Sequence, residues 1–146
     1  MKEKSFASLP VFLVDDEESV LHATVAVLRS AGVTKIEMVS DGRELLPALE
    51  RQAAGAVLLD LLMPQVSGTK LLPEIVNLYP EVPVIIMTAA QDVDTAVRSM
   101  KEGAFDYIVK PVDESRLVAS VRHALEVHSL RRQMGVLKHY LLTDCL

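Results

Sequence analysis

Cysteine occurs once in this chain, as Cys145 at the C-terminal end, so no disulfide framework holds the fold and a reducing cytosol is the natural setting. Long apolar runs are missing as well. None reaches the roughly 18 residues that would suggest a membrane span. The opening stretch Met1 to Ser8 has two lysines but nothing apolar enough to be a secretory signal. Excess positive charge is also absent. The formal net charge is −5, which argues against a surface dominated by nucleic-acid binding. There are no internal repeats and no low-complexity tract. A soluble, cytoplasmic protein is expected. At 146 residues it should hold one domain, since a second would have almost no room for a core.

Half of the residues are apolar, enough for a buried sheet. Short apolar runs rich in β-branched residues stand at Val11–Val14, Ile36–Val39, Ala56–Leu59, Val82–Met87 and Tyr107–Val109. Their mostly uninterrupted apolar character predicts strands buried on both faces, as in a parallel sheet. Candidate helices lie between them at Ser19–Ala31, Arg43–Gln52, Thr69–Tyr79, Asp94–Glu102 and Glu114–Leu130. Gly32 and Gly103 follow two of these, where helix C-termini favour glycine. Pro47 and Pro73 fall inside predicted helices, which should therefore start late or kink. The alternation predicts an α/β fold: a doubly wound, five-stranded parallel sheet flanked by five helices, flavodoxin-like, with an extended C-terminal helix.

In such a sheet, ligands bind beyond the carboxyl ends of the strands. Asp15 and Asp16 end the first run, Asp60 the third, Thr88 the fourth and Lys110 the fifth. The second runs instead into Ser40 and Asp41, which look like a helix N-cap with Glu44 three residues on. Singly, each residue has an ordinary explanation. The run Asp15-Asp16-Glu17-Glu18 is a solvated helix start, where carboxylates meet the positive dipole end. Asp60 and Thr88 are turn or cap residues, and Lys110 before Pro111 is a surface lysine. The ordinary account does not explain why all of them finish strands on one edge. Three carboxylates there repel unless a cation sits among them. Oxygen ligands without histidine or cysteine favour a hard ion, Mg²⁺ before Zn²⁺. A lysine and a hydroxyl beside them complete the equipment for phosphoryl transfer.

Four motifs then resemble the receiver family of two-component response regulators. Asp15-Asp16-Glu17 resembles its acidic pocket, and Asp60-Leu61-Leu62-Met63-Pro64 with Gly68 its phosphoacceptor motif. Met87-Thr88-Ala89 is similar to its hydroxyl-bearing strand, and Gly103 through Pro111 to its last strand, with the aromatic Tyr107 and Lys110. The resemblance covers Leu9 to His128, and it is the order and spacing of the four that make it specific.

The resemblance implies roles. Asp60 would be the phosphoacceptor, fed by a sensor histidine kinase. Asp15, Asp16, Asp60 and the backbone carbonyl of Leu62 would hold Mg²⁺. Lys110 would pair with a phosphoryl oxygen, while Thr88 and Tyr107 would form the switch. The chain would be a signalling domain that catalyses only its own phosphoryl transfer and slow dephosphorylation. A haloacid-dehalogenase-type phosphatase, the rival reading, expects a second aspartate two after the nucleophile, where this chain has Leu62. A pseudo-receiver is opposed by the intact Asp60, Lys110 and acidic pair. Gln91 to Val97 and Leu130 to Gln133 resemble NtrC-type, sigma-N-dependent regulators. That implies a missing effector, an ATPase plus a DNA-binding domain, with a receiver at 9–128 and a helical linker at 129–146. In the tail, Val127, Leu130, Met134, Leu137 and Leu141 are spaced as a heptad seam, with Arg131, Arg132 and Lys138 off it. A weak homodimer is expected, weak because the seam is short and contains Gly135. Leu130 is expected to lie on the sheet. No membrane or direct nucleic-acid contact is expected.

Overall fold

The structure, a computed structural model, describes residues 9–144, with the side chains of 136, 138–140 and 142–144 left out of that description. Met1 to Ser8, Cys145 and the side chain of Lys138 therefore lie outside the described residues. Five strands, β1 (Val11–Val14), β2 (Ile36–Val39), β3 (Ala56–Asp60), β4 (Val84–Ala89) and β5 (Asp106–Lys110), form one parallel sheet. Their order is β2-β1-β3-β4-β5, so the strand order reverses between β1 and β3. Among the described residues, five α-helices connect and extend them: α1 (Glu18–Ser30), α2 (Leu45–Arg51), α3 (Gly68–Leu78), α4 (Val93–Lys101) and α5 (Glu114–Asp144).

Alternation along the strands divides the core in two. Phe12, Val14, Val57, Leu59, Val84 and Ile86 face α2, α3 and α4, through residues such as Leu45, Leu72 and Ile75. Val11, Leu13, Leu58, Ile85, Met87 and Ile108 face α1 and α5, through Leu21, Leu28, Leu117 and Val121. The central strands β1 and β3 are thus buried on both faces, as their apolar runs require.

β2 departs from that expectation. Glu37 and Met38 are exposed, and Met38 keeps 48% of its surface in water. The reason is position: β2 is an edge strand, covered by fewer neighbours than the centre. The fourth strand begins two residues later than its apolar run and continues through Thr88 to Ala89.

Helix ends follow local chemistry. Gly32 (φ 95°) and Gly103 (φ 113°) take the left-handed conformation after α1 and α4. There the amides of Val33 and Gly32 bond the carbonyls of Leu28 and Arg29, and those of Ala104 and Gly103 bond Ser99 and Met100. This crossed pair of bonds closes a helix with glycine at the turn. α2 does start late. A 3₁₀ turn over Gly42–Glu44, capped by the Asp41 carboxylate on the Arg43 amide at 2.9 Å, precedes it, which brings Pro47 into the first turn. Pro73 instead lies within α3, which continues through it to Leu78.

The extended C-terminal helix expected from the sequence is α5, and it differs from expectation in where it leaves the sheet. The helix continues without interruption from Glu114 to Asp144. Its last buried side chain among the described residues is His128. Leu130, expected on the sheet, is 58% exposed, because by that point the helix has run past the sheet it was packed on.

Candidate functional site

The carboxyl edge of the sheet gathers the strand-end residues. Asp60 is the last residue of β3 and Lys110 the last of β5; Thr88 sits one before the end of β4, and Asp15 and Asp16 follow β1. Parallel pairing in register carries all four strands to the same edge. Asp15 is 3% exposed and Asp60 5% exposed, and Asp16 is more open. One oxygen from each of the three carboxylates lies within 4.8 Å of the others.

Among the described residues, one cation faces this group. Lys110 Nζ stands 3.4 Å from Asp15 Oδ2 and 3.6 Å from Asp60 Oδ1. Backbone amides supply the remaining donors. Glu17 N–H donates to Asp15 Oδ1 at 2.9 Å, and Leu62 N–H to Asp60 Oδ1 at 3.2 Å. These amides were not singled out from sequence, although an aspartate followed two residues on by a turn amide is a recurrent local arrangement.

One ammonium against three carboxylates leaves negative charge in excess. Burial pushes the Asp60 carboxyl up to about 6; Lys110 and the Leu62 amide oppose this, while Asp15 and Asp16 add to it. The donor set is oxygen only, two of its members are buried, and its charge is uncompensated. It fits a hard divalent cation, and the pocket can hold a metal ion.

The surroundings are shaped for access to Asp60. A Cβ on Gly68 would come within 2.5 Å of the Asp60 carbonyl and 2.8 Å of Leu61 Cα, so the start of α3 can press on this backbone only with glycine there. Ser67 caps that helix by accepting from Thr69 N–H at 3.1 Å. Leu62 projects outward at 65% exposure. Thr88 is buried, and its hydroxyl makes long contacts, 3.4 Å to the Ala89 carbonyl and 3.5 Å to that of Asp92. Tyr107 is half-buried against the α2–α4 side of the core.

The site and the fold together define a doubly wound module with an acidic pocket and a lysine at the carboxyl edge of its sheet, and similarity to known proteins gives its class. The family model for the response regulator receiver domain matches residues 11–122. The chain belongs to that family: it is a receiver domain, a signalling module of two-component response regulators. It is 38% identical over 123 residues to the DNA-binding transcriptional regulator NtrC of Salmonella typhimurium, covering 84% of this chain and 26% of NtrC. It is 36% identical over 133 residues to the C4-dicarboxylate transport transcriptional regulatory protein DctD of Rhizobium meliloti, covering 86% of this chain and 29% of DctD. The chain thus spans about a quarter of these relatives. Among solved structures, the N-terminal receiver domain of a response regulator from Bacteroides fragilis matches with a TM-score of 0.74 and 34% identity. That match covers 80% of this chain and 95% of the other. NtrX from Brucella abortus matches with a TM-score of 0.80 and 30% identity, over 88% of this chain and 29% of NtrX. Among the described residues, no helix is long and apolar enough to cross a membrane.

Proposed function

We propose that Asp60 is the phosphoacceptor of this receiver. Its carboxylate attacks the phosphorus of a phosphohistidine on a sensor histidine kinase; the P–N bond breaks and an acyl phosphate forms on Asp60. The observation that carries this reading is the Asp60 carboxylate itself, at a strand end, short of donors, 3.6 Å from the Lys110 ammonium and beside two further acids. Attack requires the ionised form. With its pKa pushed up to about 6 by burial, most of Asp60 is ionised at neutral pH.

The remaining roles follow from charge. Lys110 is close enough to Asp60 to pair with an equatorial phosphoryl oxygen. Thr88, whose hydroxyl contacts among the described residues are long, would turn its hydroxyl toward another, and Tyr107 would follow it inward. Asp15, Asp16, Asp60 and the backbone carbonyl of Leu62 would hold Mg²⁺, which when bound neutralises phosphoryl charge as it develops. The module has no substrate to turn over apart from its own phosphoryl group, which it accepts and slowly hydrolyses.

The chain is read as part of a longer cytoplasmic regulator, with the receiver at 9–128 and a linker helix at 129–146. Similarity to the DNA-binding transcriptional regulator NtrC supports a DNA-binding effector, and the resemblance to sigma-N-dependent regulators implies an ATPase beside it. Support for the boundary comes from His128, the last buried side chain of α5 among the described residues. Leu130, Met134, Leu137 and Leu141 are 53% to 67% exposed along one face, which suits a weak homodimer through the tail. Light scattering across a concentration series should show self-association of this chain and not of one stopped after His128.

The central test is intact mass after incubation with Mg²⁺ and a small acyl phosphate. The wild type should gain one phosphoryl group, and Asp60→Asn none. Uptake by Asp60→Asn at the wild-type rate would refute the assignment.

A further inference from the structure

Among the described residues, β5 is the last strand of the sheet and pairs on one side only, with β4. A free strand edge carries backbone groups that the ladder leaves unused, and proteins must satisfy or shield them. At Tyr107 both groups are taken up. Its amide donates to Asp106 Oδ1 at 2.8 Å, and its carbonyl accepts from Arg116 Nη2 at 2.9 Å. Arg116 also forks onto the Asp106 carboxylate, Nη1 to Oδ2 and Nη2 to Oδ1, both at 2.9 Å. Ser120, buried one turn further along α5, donates its hydroxyl to Asp106 Oδ2 at 2.7 Å. Arg116 thereby holds the Tyr107 carbonyl directly, and Arg116 and Ser120, one turn apart on α5, hold the Asp106 carboxylate that accepts from the Tyr107 amide.

We propose that Arg116 is a positioning residue that couples the backbone of Tyr107 to α5, so that rearrangement at the phosphoacceptor site reaches the helical tail through this clasp. The proposal rests on the reading of Asp60 as acceptor and Tyr107 as switch. Its physical basis is directionality. α5 otherwise lies on the sheet through Leu117, Val121, Ala124 and Leu125, an apolar contact that resists separation but has no preferred direction. The guanidinium is planar and its donors are fixed relative to each other. It bonds a carboxylate and a main-chain carbonyl at once, so a shift of Tyr107 must carry Arg116 with it or break the set. Because α5 is one helix of 31 residues, displacement near its start is transmitted to the exposed tail stripe. Lysine at this position would keep the charge and lose the fork.

Hydrogen exchange read by mass spectrometry on the full chain tests this, with and without Mg²⁺ and a small acyl phosphate, for wild type, Arg116→Gln and Arg116→Lys. Intact mass on the same samples reports phosphoryl uptake. In the wild type, phosphorylation should change exchange both at 88–92 and at 114–125. Arg116→Gln should take up the phosphoryl group as the wild type does and keep the response at 88–92. It should lose most of the response at 114–125, and Arg116→Lys should fall between the two. Ser120→Ala, which removes one bond and leaves the arginine, should give a partial loss even if Arg116→Gln folds poorly. An Arg116→Gln response at 114–125 equal to that of the wild type overturns the proposal, as does a phosphorylated wild type whose α5 does not respond. Absence of uptake by the wild type is a different failure, that of the phosphoacceptor reading, and removes this proposal with it.

Discussion

Asp60 and Asp106 are both strand-end carboxylates facing a cation, and their chemistry is opposite. Burial raises both. For Asp106 that penalty is outweighed by the Arg116 fork, the Ser120 hydroxyl and the Tyr107 amide, and its carboxyl is held below the usual range. Asp60 has one amide, a lysine at 3.6 Å and two acidic neighbours, and rises to about 6. A carboxylate saturated with donors is stable and unreactive. One short of donors and crowded by like charge stays high in energy when ionised, and a cation or a phosphoryl group relieves it.

Removing the cation from each partner probes the contrast most strongly. Lys110→Ala should cut the rate of phosphoryl uptake from a small acyl phosphate by about 10²-fold or more, the usual cost of one charge-stabilising donor. Arg116→Gln should leave that rate near wild type. Rates from a time course of intact mass separate the two, and equal losses would erase the distinction between reactive and inert carboxylate.

Stability against pH should differ in sign. The folded pKa of Asp60 lies above its unfolded value near 3.8, so the folded state holds this proton more tightly. Stability from this group is full below the unfolded pKa and lost as pH rises through about 6. Asp60→Asn removes that penalty. In metal-free buffer it should stabilise the domain by about 2–3 kcal/mol at pH 8, and the gain should vanish near pH 4. Asp106 runs the other way. Its depressed pKa contributes stability above the unfolded value and loses it as pH falls through the folded one. Asp106→Asn should cost about 1–2 kcal/mol at neutral pH, a figure reduced for the partial exposure of the pair. Urea unfolding at several pH values measures both, and a destabilised Asp60→Asn at pH 8 would contradict the strain assigned to Asp60.

The smallest expected effect concerns how long the relieved state lasts. In the receiver family the side chains two after the acceptor and two after the threonine flank the approach of water. Here they are Leu62 and Ala90, neither able to orient one. Leu62→Asn with Ala90→Glu should speed decay of the acyl phosphate by about tenfold, less than a fully organised polar group provides. Decay followed after removing the donor and no faster than wild type would show that these positions do not control lifetime here.

The sequence by itself determined the alternation of strand and helix, because apolar period and glycine stops are local signals. It also placed Asp15, Asp16, Asp60, Thr88 and Lys110 at strand ends, since in a parallel sheet all carboxyl ends share an edge. Register was not legible, and with it the burial of β2: Met38 is exposed because of which strands lie beside it, a fact no window around residue 38 contains. Leu130 was misplaced for the same reason, since where α5 leaves the sheet depends on sheet size and helix position together. The Asp106–Arg116–Ser120 clasp was invisible because its spacing joins a strand to a helix across a turn and matches no single periodicity. The opposite environments of Asp60 and Asp106, one raised and one held low, were decided only by tertiary structure. The two are the same residue type, and the donors and charges that divide them are brought near by folding.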